Sequence, residues 1–209
     1  MSAPPSPAQP RPRLLIATGN PGKVREIRRI LDGAPFDVVT PADISLSLEV
    51  EETGDTYEAN ATLKAVAYAN ASGLLSLADD SGIEVDALDG RPGVRSARYG
   101  TPDLDDAGRT ALLVRELEGV APGRRTARYV AVIAIAQPGN HEVHLFRAIE
   151  EGRIAFEPRG ANGFGYDPVF LVDDTTTQAE LSEAAKDEIS HRGKALRAAR
   201  EFLRDYYGC

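Results

Sequence analysis

An α/β fold, with a mixed β-sheet carrying helices on its faces, is predicted by three features of the chain. Short apolar runs of strand length alternate with segments of helical periodicity over most of the 209 residues. Residues 129–136 are apolar almost without break, which suits a central strand buried on both faces. Pro138-Gly139-Asn140 then turns the chain back into an antiparallel partner, so the sheet is mixed. The length suits one domain, over 13–209, behind a proline-rich extension at 1–12 that reads as disordered or polyproline-like.

Taken in order, the first strand begins at Leu14 and runs into a Gly-Asn-Pro-Gly turn. A helix follows over 23–31, with Val24, Ile27, Ile30 and Leu31 as its buried stripe and Arg25, Glu26, Arg28 and Arg29 outside. Residues 36–39 make a short strand stopped by Thr40-Pro41. An acidic loop with Glu49, Glu51 and Glu52 leads to a second helix over 56–70 that stops at Gly73. Residues 74–78 read as a buried strand, Asp79-Asp80-Ser81-Gly82 as a turn, and 83–88 as a half-exposed strand. A third helix covers 104–118, with Thr101 and Asp103 as capping candidates. The central strand spans 128–136 and its partner 142–150. A glycine-rich loop at 160–165 precedes a strand over 168–172. The C-terminal region is helical, with Ile189, Leu196, Ala199, Phe202 and Leu203 on one side.

Composition narrows the function. A net charge of −8 argues against binding nucleic acid or an acidic membrane, both of which need a basic surface. No stretch is long and apolar enough to span a bilayer, and the N-terminus lacks the apolar core of a secretory signal. Cys209 is the one cysteine, which excludes an intrachain disulfide and a cysteine-rich metal site and fits a cytoplasmic protein. Asn60-Ala61-Thr62 and Asn70-Ala71-Ser72 match the glycosylation acceptor pattern by chance if the chain is not secreted. His141 and His144 fall in the hairpin and read as incidental.

The chemistry concentrates in a few segments. Thr18-Gly19-Asn20-Pro21-Gly22-Lys23 joins a strand to a helix start, where glycines admit a ligand, unpaired helix N–H groups face it and Lys23 adds charge. A triphosphate is the natural guest, although the same junction also occurs as plain structure. The spacing is neither that of a P-loop nor that of a dinucleotide fingerprint. Asp79 and Asp80 repel each other, so cations should compensate them. Either acid, with one from the 49–52 loop, would suit Mg²⁺, which takes one or two carboxylates and completes its shell with phosphate and water. Ser81 lacks a nucleophile elbow and reads as a turn or ligand hydroxyl. Asn60 and Lys64 share one side of the second helix. Phe164, set among glycines, offers a stacking platform for a base. His191 and Arg192 open a helix as hydrogen-bond donors, with Lys186 a turn upstream.

Together these segments resemble the inosine triphosphate pyrophosphatase family. The resemblance rests on T-G-N-P-G-K (18–23), E-E-T-G (51–54), E-A-N-A-x-L-K (58–64), A-D-D-S-G (78–82) and P-G-V-R-S-A-R-Y (92–99). G-F-G-Y-D-P (163–168), the Lys186 region and S-H-R-G (190–193) complete the ordered set. The resemblance implies a long, twisted mixed sheet with two lobes around a cleft, and a homodimer. It implies cleavage of inosine, deoxyinosine or xanthosine triphosphate between the α and β phosphates, giving monophosphate and pyrophosphate. By position, Thr18, Gly19, Asn20, Pro21, Gly22, Lys23 and Lys64 would hold phosphates. Asp80 would be proton acceptor and magnesium ligand, with Glu52 as its acidic partner and Asp79 close by. Ser81, Phe164, Gly165, Tyr166, Asp167, Lys186, His191 and Arg192 would contact the purine nucleotide. Donation from His191 and Arg192 to a 6-oxo group would then disfavour adenine, whose 6-amino group is itself a donor.

Overall fold

The computed structural model describes residues 11–140 and 142–206, so the expectations for residues 1–10, His141 and Cys209 lie outside the described residues. The order is β1 (Arg13–Ile16), α1 (Pro21–Ile30), β2 (Asp37–Val39), α2 (Tyr57–Ser72), β3 (Leu75–Val85), α3 (Asp106–Glu116), β4 (Thr126–Ala136), β5 (Val143–Ile154), β6 (Phe170–Leu171), α4 (Glu183–Ile189) and α5 (His191–Tyr206). The strands form one mixed sheet in the order β2-β1-β3-β4-β5-β6. β1 lies parallel to β2 and β3, and every pairing from β3 onward is antiparallel.

Strand alternation divides the core. Leu14 and Ile16 of β1, Leu77 of β3 and Ala131, Ile133 and Ile135 of β4 pack with α1 and α5 on one face. Leu15, Val130, Val132 and Ala134 pack with Ala61, Ala65 and Ala69 of α2 on the other. β4 is therefore covered on both sides, as its unbroken apolar run requires. A third cluster joins Ile83, Val85, Leu113 and Phe170 at the far end of the sheet.

Local chemistry sets the element ends. Thr56 caps α2 through the Ala59 N–H, and Gly73 closes it with a φ of 69°, a backbone angle glycine takes without strain. α1 starts two residues earlier than the sequence suggests because Pro21 suits a first helical turn and Asn20 caps it. α3 is capped by Asp105, whose side chain accepts the Gly108 N–H, and not by Thr101 or Asp103. β5 runs on to Ile154 because β4 begins at Thr126 and supplies partners for the extra residues. The expected strand at 168–172 shrinks to two residues, since Asp167–Val169 forms a 3-10 turn with Pro168, which lacks a donor, inside it. The C-terminal helix is broken at Ser190, and Ile189 is exposed instead of joining the buried stripe.

One correction shapes the site. Residues 79–82 are not a turn between two strands; β3 passes straight through them, paired in register from Ser76↔Ala136 to Val85↔Ala127. Gly82 permits this by letting another backbone segment close in, because a Cβ there would lie 2.4 Å from the Gly93 carbonyl oxygen. Among the described residues no helix is long and apolar enough to cross a membrane.

Candidate active site

The site forms where β1 stops and β3 continues, at the carboxyl end of a parallel pair with helices departing to opposite faces. At that end the Ala17 N–H donates to Leu77 O at 2.7 Å. The next carbonyl on the same edge, Asp79 O, lies beyond β1 and accepts instead from Lys64 Nζ at 2.8 Å and Lys23 Nζ at 3.4 Å. Two lysines from opposite sides of the sheet thus meet at one oxygen.

Alternation along β3 also separates the adjacent acids. Asp79 and Ser81 are in phase with Leu77 and face α1 and α5; Asp80 is in phase with Ala78 and faces α2. Asp79 pairs with Lys23 and with Arg192 Nε at 3.0 Å, and accepts Ser81 Oγ at 2.9 Å. Asp80 Oδ1 accepts from Lys64 Nζ at 2.8 Å, and Lys64 also donates to Glu52 Oε1 at 2.7 Å. The cations that two neighbouring acids demanded are present, one set on each face.

Environment then gives the two aspartates different characters. Burial alone would raise the Asp79 pKa, but Arg192 and Lys23 outweigh it and hold the carboxyl far below the ordinary range. Asp80 goes the other way: burial raises its pKa, and the attraction of Lys64 only partly offsets that. Burial also pulls the Lys64 pKa down, yet Asp80 and Glu52 more than restore it. Lys23 ends below its ordinary value because burial dominates there.

A chain of alternating charge runs behind the cleft. Arg192 donates through Nη1 to Glu26 Oε2 at 2.7 Å and through Nη2 to Ser81 Oγ at 2.7 Å. Lys186 bridges Glu26 Oε1 at 2.6 Å and Asp167 Oδ2 at 2.5 Å. Asp79, Arg192, Glu26, Lys186 and Asp167 therefore connect β3, α5, α1, α4 and the 3-10 turn that follows the glycine-rich loop. Glu26, expected on the outer face of α1, is 5% exposed, and its pKa is lowered because Arg192 and Lys186 overcome the penalty of burial. Its place three residues after Lys23, on the same helix face, was the available signal.

Residues expected to bind substrate or metal fall at several places around the site. Asn20, Lys23, Ser81, Phe164, Gly165, Tyr166, Asp167, His191 and Arg192 line one cleft. Gly22 and Lys186 lie behind it, against Phe164; a Cβ on Gly22 would fall 2.6 Å from that ring. Lys64, Asp80 and Glu52 adjoin the Lys23 end through the shared Asp79 carbonyl. Thr18 Oγ1 accepts the Asn20 N–H at 3.2 Å, and neither it nor Gly19 nor Pro21 is a wall of the cleft. The helix-start amides are not unpaired either: Asn20 Oδ1 accepts the N–H groups of Gly22 at 2.8 Å and Lys23 at 3.1 Å. The positive charge of this corner is carried by lysine side chains. The cleft also gathers Ser96, from the 92–99 motif but given no role there, and Asp106 and Tyr129, which lie in none of the quoted motifs.

A divalent ion would find a defined place here. Asp80 Oδ2 is buried with no hydrogen-bond partner, the state of an oxygen awaiting a cation. Among the described residues no three His, Cys, Asp or Glu side chains gather into a metal group. One or two carboxylates facing a phosphate site suit Mg²⁺ better than an ion that needs an all-protein cage.

Known proteins resemble this chain over most of its length. Residues 14–202 match the model of the Ham1 family. The dITP/XTP pyrophosphatase of Symbiobacterium thermophilum is 52% identical over 91% of this chain and 94% of its own length. That of Geobacter sulfurreducens is 48% identical over 91% and 96%. The solved structure of a HAM1 protein from Coxiella burnetii superposes with a TM-score of 0.84 at 36% identity, covering 93% of this chain and 99% of that one. The family resemblance carried by the motifs is thereby borne out: the chain belongs to the Ham1 family.

Proposed function

We propose that this chain hydrolyses inosine, deoxyinosine and xanthosine triphosphates to the monophosphate and pyrophosphate, removing non-standard purines from the nucleotide pool. One observation carries the reading: Lys23 and Lys64 converge on the Asp79 carbonyl beside the unpartnered Asp80 Oδ2, at one end of a cleft walled by Phe164 and His191. The names of the similar proteins support the same substrates. We assign Mg²⁺ to Asp80 and Glu52, a homodimer as the assembly and the cytoplasm as its place; the ion, when bound, supplies positive charge to the phosphate oxygens.

The chain's own residues do the rest. Lys23 and Lys64 neutralise the polyphosphate and stabilise the leaving pyrophosphate. A water attacks the α phosphorus, the bond to the α–β bridging oxygen breaks, and Asp80 takes the water's proton. Before the ion binds, burial raises its proton affinity. Asp79, held ionised by Arg192 and Lys23, positions those two cations. Phe164 stacks on the base, with Lys186 Nζ 4.9 Å and Arg192 Cζ 5.4 Å from its ring centre.

Incubation of the protein with deoxyinosine triphosphate and Mg²⁺ is expected to yield deoxyinosine monophosphate and pyrophosphate, with activity abolished by a chelator. Diphosphate and inorganic phosphate as products, or no turnover, would refute the reading. Replacing His191 by alanine is expected to lower the kcat/KM ratio of deoxyinosine to deoxyadenosine triphosphate by roughly tenfold, the worth of one buried hydrogen bond. An unchanged ratio removes His191 from base selection.

A further inference from the structure

His191 sits in a cradle built by one cross-strand pair. Tyr129 of β4 and Glu150 of β5 are direct partners in the sheet. The Tyr129 ring stacks on the imidazole at 4.4 Å between centres with 10° between planes. Glu150 Oε2 holds the same residue twice, accepting the His191 backbone N–H at 3.3 Å and lying 3.4 Å from ring Nδ1. Gln178 Nε2 donates to that oxygen too, at 2.7 Å. The other carboxylate oxygen, Oε1, is buried with no partner.

Burial keeps the His191 ring neutral, so one of its nitrogens carries the proton and the other does not. The oxygen facing Nδ1 already receives two other donors, which leaves it the role of acceptor. Burial pushes the Glu150 carboxyl up to about 7, with Lys194, Asp167, Gln178 and His191 as its neighbours. A proton taken up by this group would go to the unpartnered Oε1, so Oε2 stays an acceptor in either state.

Resting on the function proposed above, we infer that Glu150 is a positioning residue that fixes the His191 proton on Nδ1 and leaves Nε2 as an acceptor facing the nucleotide. An acceptor at that place selects a different feature from the one expected for a donating histidine. Hypoxanthine and xanthine carry a hydrogen on N1, whereas adenine N1 is a lone pair and would meet the Nε2 lone pair. Discrimination then reads N1–H. The 6-oxo group is left to a separate donor, for which Arg192 still has two N–H groups beyond those given to Asp79, Glu26 and Ser81.

The test begins on the unliganded full chain at pH 8, by long-range proton–nitrogen correlation spectra after histidine labelling, with His191 signals assigned from their loss in His191→Gln. A protonated Nδ1 with a bare Nε2 is expected; a protonated Nε2 overturns the inference. Glu150→Met, which removes the acceptor, is expected to move the proton to Nε2 and lower the deoxyinosine-to-deoxyadenosine kcat/KM ratio about tenfold. Glu150→Gln, which keeps an acceptor oxygen, should restore both. A folded Glu150→Met protein with wild-type tautomer and ratio also overturns it. The spectra need no substrate, so a failed hydrolysis assay would sink the function while leaving the tautomer assignment standing or falling by itself.

Discussion

Asp80→Asn is expected to lower kcat on deoxyinosine triphosphate by about 10³-fold or more while nucleotide binding persists. The substitution is nearly isosteric, and the amide oxygen can still accept from Lys64, whose other partners, Glu52 and the Asp79 carbonyl, remain. What disappears is the carboxylate whose proton affinity burial raises. Asp79 cannot replace it: paired with Lys23 and Arg192, its carboxyl is held too far below the ordinary range to accept a proton. Single-turnover kinetics and equilibrium binding of the same nucleotide separate the effects. Near-normal turnover would remove Asp80 from catalysis, and lost binding with intact kcat would make it a phosphate-site residue instead.

Arg192→Met is expected to be the most destabilising single change in the site. The side chain is buried and pairs with two buried carboxylates, Asp79 and Glu26, so its removal leaves them under-compensated away from water, with Lys23 and Lys186 as the cations that remain. Breaking one partner out of such a network costs about 3–5 kcal/mol, on the order of 10 °C in melting temperature for a domain of this size. The loss has a pH signature. Both carboxyls have depressed pKa values in the folded chain, so their contribution is present above the unfolded carboxylate pKa near 4 and is lost as pH falls below it. The gap between wild type and variant should therefore narrow from pH 7 to pH 3 in thermal unfolding. A gap that widens on acidification would place the stabilisation elsewhere.

Those two residues mark what a sequence can and cannot convey. Lys23, Lys64, the paired aspartates and Phe164 were legible because each sits in a short motif whose chemistry is unusual. α2 was legible from its stop at Gly73, and β4 from apolar residues on both faces. The path of β3 was not, since Asp79, Asp80, Ser81 and Gly82 carry local turn chemistry. Only cations arriving from α1, α2 and α5 make an extended strand tolerable there. Glu26 looked solvated because the partners that neutralise it stand near the other end of the chain. Glu150 and Tyr129 carry no motif. Their relation to His191 is created by cross-strand register and by a helix that docks on it, and neither has a signature in local spacing.

Arg192 reaches Asp79 across 113 positions and Glu26 across 166. During synthesis every earlier part of the pocket is polymerised before this guanidinium exists. A nascent polypeptide that already carries Lys23 and Asp79 still lacks the guanidinium that joins Asp79 to Glu26. Hydrolytic competence is thus deferred to the last stage of translation, and premature termination ahead of α5 should leave fragments that are inert toward the nucleotide pool.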